Sequence, residues 1–321
     1  MFNAPPGSGR PNLEKTEMKK TLIGLAAAAA LVPMTAMAWQ PSGDVTVIVA
    51  YKAGSGTDTG ARLLSLEAEK NVGKTLIIEN LPGADGKIGW TKLSKAKPDG
   101  RTIGFINLPT FTTLFNANTV VPIANHLTET GVVAVKADSK WQTIEQLVAD
   151  MKANPGLKAS TNGVKASNHT AAQLFAQSAG VKYKAIPYGG TADQLLALRQ
   201  KEVDFTCAKV ADVAKYKSEI RVLAVFDTKR DATLPDVPTL GEKGYYNQWY
   251  GSARALVAPA GTPDEIIQFY VDAFKKTMTD PENVAAHKKA KLNIDFKDNK
   301  ELGELIKAQE VFCKDVVSKL Y

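Results

Sequence analysis

The sequence predicts an α/β chain of two lobes joined by two hinge strands, and three observations point there. Short β-branched runs alternate with helical periodicity in two separate series. Two connector strands, 131–135 and 250–257, follow the first and the second series. The chain after Thr262 reads as helices only, with no strands of its own to cover, so it is expected to fold back onto the first sheet.

The first series opens with strand 45–50, Val-Thr-Val-Ile-Val-Ala, and a Gly-rich turn into an amphipathic helix, 57–70. Strand 75–79 and helix 84–96 follow, and Pro98-Asp99-Gly100 turns the chain into strand 102–106. That βαβαβ order implies parallel strands with right-handed crossovers. The second series runs helix 143–152, closed by Asn154-Pro155-Gly156, strand 158–161, helix 167–179, strand 183–186, helix 192–200, strand 203–206 and strand 221–226. Thr262-Pro263-Asp264-Glu265 then starts a helix well, with proline and acids in its first turn.

Near the start, Lys19 and Lys20 precede an apolar run from Leu22 to Val32 and a small-residue site at Ala36-Met37-Ala38. This is the pattern of a secretory signal peptide cleaved near Ala38 and Trp39, since a spanning helix needs about 20 apolar residues. Residues 1–17 read as a misassigned start or added residues. The expected division is thus signal peptide 18–38, first lobe 39–132 with 255–321, and second lobe 133–254. Removing 1–38 takes away four basic residues (Arg10, Lys15, Lys19, Lys20) and two acidic ones (Glu14, Glu17), so the formal charge falls from +7 to +5. Lysines alternate with acids along the helices and form no basic block or Arg-rich arm, which argues against a nucleic-acid partner and for a domain biased toward small anions. Cys207 and Cys313 would meet an oxidising compartment, where a disulfide and two buried thiols both fit the spacing.

Ligands of open parallel sheets bind beyond the carboxyl ends of the strands, so four loops matter. The first, Lys52 to Gly60, has glycines for close backbone approach and a helix N-terminus that suits an anion. Its Gly54 and Gly56, with Glu79 farther on, partly imitate a dinucleotide fingerprint, but the third glycine falls at Gly60, one residue late. A plain turn also fits. The second loop, Ser160 to His169, offers Lys165 as a charge and Ser167 as a helix cap. The third, Pro187 to Asp193, carries Tyr188, Gly189 and Thr191; the fourth contributes Asn107. The three histidines lie far apart in sequence, no metal-ligand spacing or nucleophile elbow occurs, and no catalytic residue can be named. His169 is expected in a structural hydrogen bond.

Taken together the loops are specific. Ala53-Gly54-Ser55-Gly56-Thr57-Asp58 with Ala61-Arg62, Glu79-Asn80-Leu81-Pro82-Gly83-Ala84, Pro98-Asp99-Gly100, Gly163 through Ser167 to His169, Pro187-Tyr188-Gly189-Gly190, Leu234-Pro235-Asp236-Val237-Pro238-Thr239 and Ala258-Pro259-Ala260-Gly261-Thr262-Pro263 resemble the substrate-binding proteins of tripartite tricarboxylate transporters, the Bug or TctC family. The resemblance covers nearly all of 39–321. It implies a periplasmic two-lobed binding protein of the type II, Venus-flytrap kind: a monomer without cofactor or enzyme activity that delivers a small organic acid to the membrane subunits of a transporter. Presentation of the ligand to a membrane sensor kinase is the alternative output, and an enzyme on the same architecture the remoter one. Carried onto this chain, the site comprises Ala53, Ser55, Gly56, Thr57 and Asp58 in the first lobe and Gly163, Ser167, Tyr188, Gly189 and Thr191 in the second, with Asn107 and Lys165 added from the loop reading. Lys52, Ser55 in place of a second glycine, and Asn107-Leu108-Pro109 depart from the family pattern and are expected to alter ligand identity.

Overall fold

The computed structural model describes residues 39–321, with residues 1–3 and 7 besides; the signal-peptide assignment at 18–38 falls outside the described residues. Trp39–Tyr321 forms one compact unit.

Strand β1 (Val45–Val49) leads into helix α1 (Gly56–Val72), then β2 (Leu76–Asn80), a 3-10 turn at Ala84–Gly86, α2 (Lys87–Ser94) and β3 (Thr102–Leu108). Both β2 and β3 pair in parallel with β1, as the alternation predicts. In α1, Ala61, Leu64, Ala68 and Val72 recur at helical spacing and are all buried, so one stripe of the helix packs on the sheet. Gly73 ends it in the left-handed region, donating to the Glu69 carbonyl.

After α3 (Thr110–Leu114) comes β4 (Val120–Lys136), a 17-residue strand of which the sequence reading found only the last third. Two register shifts, between Pro122 and Ala124 and between Asn125 and Leu127, break its alternation, which hides its first part from a period-2 reading. The second series follows: α4 (Ile144–Ala153), β5 (Lys158–Thr161), α5 (Ser167–Ala179), β6 (Lys184–Pro187), α6 (Thr191–Arg199), β7 (Phe205–Lys209), α7 (Val210–Val213) and β8 (Ile220–Val225). It ends in β9 (Gly251–Pro259), α8 (Asp264–Met278), α9 (Pro281–Lys289), β10 (Ile294–Lys297) and α10 (Asn299–Asp315).

The sheet is continuous through β4. Its first part pairs antiparallel with β9 and β10, and its second part with β7 and β8. The join is at Gly131, which donates to the Tyr250 carbonyl and accepts from the Phe226 amide; a Cβ there would lie 2.9 Å from the Tyr250 carbonyl oxygen, so only glycine fits. Separate apolar clusters lie on either side of the join. One gathers Val47, Phe105, Leu256, Tyr270 and Phe274, another Val133, Phe175, Phe205 and Leu223. Truncating a ring as buried as Phe105 or Phe175 would cost about 3–5 kcal/mol.

Two expectations need correction. The C-terminal part is not helical throughout: β10 adds an edge strand on β4, its Ile294 and Phe296 packing on the first cluster while Asp295 and Lys297 pair with each other. That alternation is short and sits just before the capping box of α10, Asp298 with Glu301, so the helix signal masks it. The chain also spans the two halves more than twice. Leu302 and Ile306 of α10 belong to the first half's core, whereas Phe312, Val316 and Leu320 pack on the second.

Candidate functional site

At the first loop the backbone is set by one carboxylate. Gly54 takes φ +79°, and its amide donates to Asp58 Oδ2 at 2.8 Å. Arg62 Nε donates to both Asp58 oxygens, at 3.0 and 3.1 Å, and Asn80 Nδ2 donates to Oδ1 at 2.9 Å and to the Tyr51 carbonyl at 3.0 Å. Burial opposes the Asp58 charge, but the bonds from Arg62, the Gly54 amide and Asn80 outweigh it and hold the carboxyl below its ordinary value. Ser55 caps α1 by accepting from the Asp58 amide at 3.2 Å. Asp58 is therefore spent on shaping the loop, while Ala53 stays exposed, Gly56 is half-buried and Thr57 is buried.

At the start of α1, the Thr57 hydroxyl donates to Asn107 Oδ1 at 3.2 Å and accepts from Asn107 Nδ2 at 3.1 Å. Arg254 Nη1 donates to the Gly56 carbonyl at 3.3 Å, and a Cβ on Gly56 would stand 2.8 Å from Arg254 Nη2. Arg254 also forms an ion pair with Glu129. Register explains the meeting. Asn107 lies opposite Arg254, Arg254 opposite Leu127, and Gly131 opposite Lys209, and residues opposite one another or two apart share a face of a sheet. Asn107, Arg254, Glu129 and Lys209 thus form a row across the join. The last three are 6%, 5% and 3% exposed.

The row ends under α5. Lys209 Nζ donates to Asn168 Oδ1 at 2.5 Å and to Ser167 Oγ at 3.3 Å. Asn168 Nδ2 passes the chain to Gln194 Oε1 at 2.8 Å, and Gln194 Nε2 donates to Thr206 Oγ1 and the Cys207 carbonyl, both at 2.6 Å. Burial pulls the Lys209 ammonium down to about 8, against the carboxylates of Asp212 and Glu129. Burial likewise pushes the Glu129 carboxyl up, against Arg254.

The expected cap role of Ser167 is corrected: Ser167 is the first residue of α5, the N-cap position is Ala166, which has no side chain to cap with, and Asn162 Oδ1 accepts the Asn168 amide at 3.1 Å instead. Ser167 is freed to meet Lys209. Gly163, at φ +135°, approaches the first half so closely that a Cβ would lie 2.7 Å from Asp85 Oδ1. The Lys165 ammonium sits 5.1 Å from the Tyr321 ring, and its amide donates to His169 Nδ1, the structural bond expected for that histidine. In the third loop Tyr188 donates its hydroxyl to Glu202 at 3.1 Å, Gly189 is exposed, and Thr191 begins α6. None of these three is bonded to the row, which reaches α6 through Gln194.

Arg254, Glu129 and Lys209 escaped the sequence reading. Their signal was a charge within an otherwise apolar strand, as in Ala253-Arg254-Ala255-Leu256-Val257. The expected strand 203–206 in fact runs on to Lys209, where a buried charge hid the strand's end. His126 and His287, far apart in sequence, meet in the first half with Nε2 atoms 2.9 Å apart. Cys207 and Cys313 are both buried free thiols, so no disulfide joins them. Among the described residues no three His, Cys, Asp or Glu side chains are gathered as a metal ion requires, and no helix is long and apolar enough to cross a membrane.

Two sheet halves sharing long strands, each presenting a helix N-terminus to one charged row, define a two-lobed periplasmic solute-binding protein. The chain belongs to the family described as Tripartite tricarboxylate transporter family receptor, TctC, whose model matches residues 60–320. It is 33% identical over 274 residues to the UPF0065 protein in the gbd 5′ region of Cupriavidus necator, covering 80% of this chain and 83% of that protein. Among solved structures it is similar to the periplasmic binding protein BugD, with TM-score 0.78, 27% identity and coverage of 87% and 98%. It is also similar to a TctC solute-binding protein from Polaromonas, with TM-score 0.71, 27% identity and coverage of 87% and 99%.

Proposed function

We propose that this protein captures a small carboxylate between its lobes and delivers it to the membrane subunits of a tripartite tricarboxylate transporter, without converting it. The observation that carries the reading is the row itself: two buried cations, Arg254 and Lys209, stand against one buried carboxylate, Glu129, with the half-buried Asp212 adding its field at Lys209, and are tied to the N-termini of α1 and α5. Helix N-termini add positive potential and free amides, and a buried anion gains most where such donors are already fixed. The division at 39–132 with 255–321 and 133–254 is the proposed lobe boundary, α10 reaching across it. In this reading Gly56, Thr57, Asn107 and Ser167 line the ligand, Asp58 fixes the loop, and Gly163 sets how closely the lobes approach. Ala53, Lys165, Tyr188, Gly189 and Thr191 belong to the rim.

The test is a thermal-shift and calorimetric screen against mono-, di- and tricarboxylates, amino acids, aromatic acids and nucleotides. A ligand at about 100 times its Kd adds about 2.7 kcal/mol and should raise the melting temperature by about 5 °C or more. A shift with nucleotides and none with carboxylates would sink the reading. Loss of solute uptake on deletion of the partner membrane subunits, with binding by the purified protein intact, checks delivery.

A further inference from the structure

Glu129 is buried at the middle of the row, and its ion pair with Arg254 is made through Oε2. Its Oε1 accepts no hydrogen bond, and Arg254 Nε has no acceptor. Lys209, with three donors, bonds only Ser167 and Asn168. The row is contacted by the N-terminus of a helix from each half, α1 through the Gly56 carbonyl and α5 through Ser167. A buried carboxylate oxygen without a donor is costly, and a ligand made of carboxylates alone brings only more acceptors. What completes the row is a ligand with an acceptor and a donor side by side.

Resting on the carboxylate-capture reading, we propose that Glu129 is a specificity-determining residue that selects carboxylates bearing an adjacent hydroxyl: the hydroxyl donates to Glu129, and the carboxylate accepts from Arg254 Nε and Lys209 Nζ. An ammonium would also donate, but it would set a third cation beside Arg254 and Lys209 in a poorly solvated place, where like charges repel strongly. A hydroxyl donates without that cost. The ligand class is therefore the hydroxycarboxylic acids, in preference to plain diacids and amino acids of the same skeleton. Asp212, three residues after Lys209 in α7, adds a second negative field that acts on both Lys209 and Glu129.

The experiment is titration calorimetry of the full chain with matched ligands: hydroxysuccinate, succinate and aminosuccinate, then citrate against propane-1,2,3-tricarboxylate. The hydroxylated member of each set should bind about 100-fold more tightly or better, because a site built around a buried acceptor rejects the analogue that leaves it unpaired. In Glu129→Gln, shown folded by its melting curve, that preference should shrink to about tenfold or less, since a neutral acceptor bonds more weakly than a carboxylate. The wild-type ratios stand even if the variant does not fold. Equal binding of hydroxylated and plain acids, preference for the amine, or an unchanged ratio in folded Glu129→Gln overturns the inference and leaves carboxylate capture standing. Binding of none of these acids overturns the inference, and carboxylate capture then stands or falls on the wider screen of mono-, di- and tricarboxylates and aromatic acids.

Discussion

The N-termini of α1 and α5 occupy equivalent places in the two halves, yet they are built differently. At α1 the loop is closed by its own side chains, with Ser55 capping and Asp58 tied to Gly54, Arg62 and Asn80, and the nearby cation Arg254 is matched by Glu129. At α5 the cation Lys209 is held by neutral groups, Ser167 and Asn168. The first terminus is a rigid, charge-balanced cradle. The second holds its cation through neutral groups, with the carboxylates of Asp212 and Glu129 acting on it only through their field. A bound anion would therefore be oriented by the first half and held electrostatically by the second, which suits a device that closes only when both halves are engaged, since a ligand drives closure to the extent that it binds the closed form better.

The largest effect should come from breaking the balanced side. Arg254→Met leaves Glu129 a buried carboxylate without its ion-pair partner and should cost about 3–5 kcal/mol of stability, measured by urea unfolding. Adding Glu129→Gln should restore most of it. An Arg254→Met protein as stable as the wild type would show that the row is solvated. On the other side, Lys209→Met should cost about 1.5–3 kcal/mol of ligand affinity, the range of a hydrogen bond to a charged group, while stability stays level or rises. A matching loss of stability would make Lys209 a structural residue.

The same lysine gives the comparison a pH signature. Its folded pKa is lowered, to about 8, so the folded state disfavours the charge. Below that pH the penalty is present in full, and stability should rise as pH climbs from about 8 toward the unfolded value near 10.4. Anion affinity should move the other way, falling above about pH 8 by up to tenfold per unit as Lys209 loses its proton. Lys209→Met should flatten both curves; a wild-type affinity flat from neutral pH to about 10 would remove Lys209 from the site.

The smallest effects should come from the loops. Asp58→Ala opens the α1 loop without touching the row, and Gly163→Val forces a side chain into φ +135° and toward Asp85. Each should weaken binding by about 1–3 kcal/mol. Asp58→Ala should act equally on all carboxylates, whereas Gly163→Val should act on closure, visible as a smaller compaction in small-angle scattering on ligand addition.

Most of the α/β order and the first loop were legible because they are local. Strand, glycine turn and capped helix follow one another within a few residues, and the chemistry of Gly54, Ser55 and Asp58 needs only neighbours in the chain. Ser167 shows where that ends. Its cap role was plausible from position, but Asn162 reaches the helix first and Lys209, from another strand, claims the hydroxyl. The row was the least legible part, since Glu129, Lys209 and Arg254 lie on three strands and meet only through antiparallel register.

The sequence by itself determined the alternation of elements, the two-series organisation and the family, because apolar periodicity and turn chemistry act over short stretches of chain. The tertiary structure alone decided which charges are buried together, how far β4 extends, and that α10 spans both halves. A burial or a register depends on what lies across the sheet, and no residue carries that partner in its own neighbourhood.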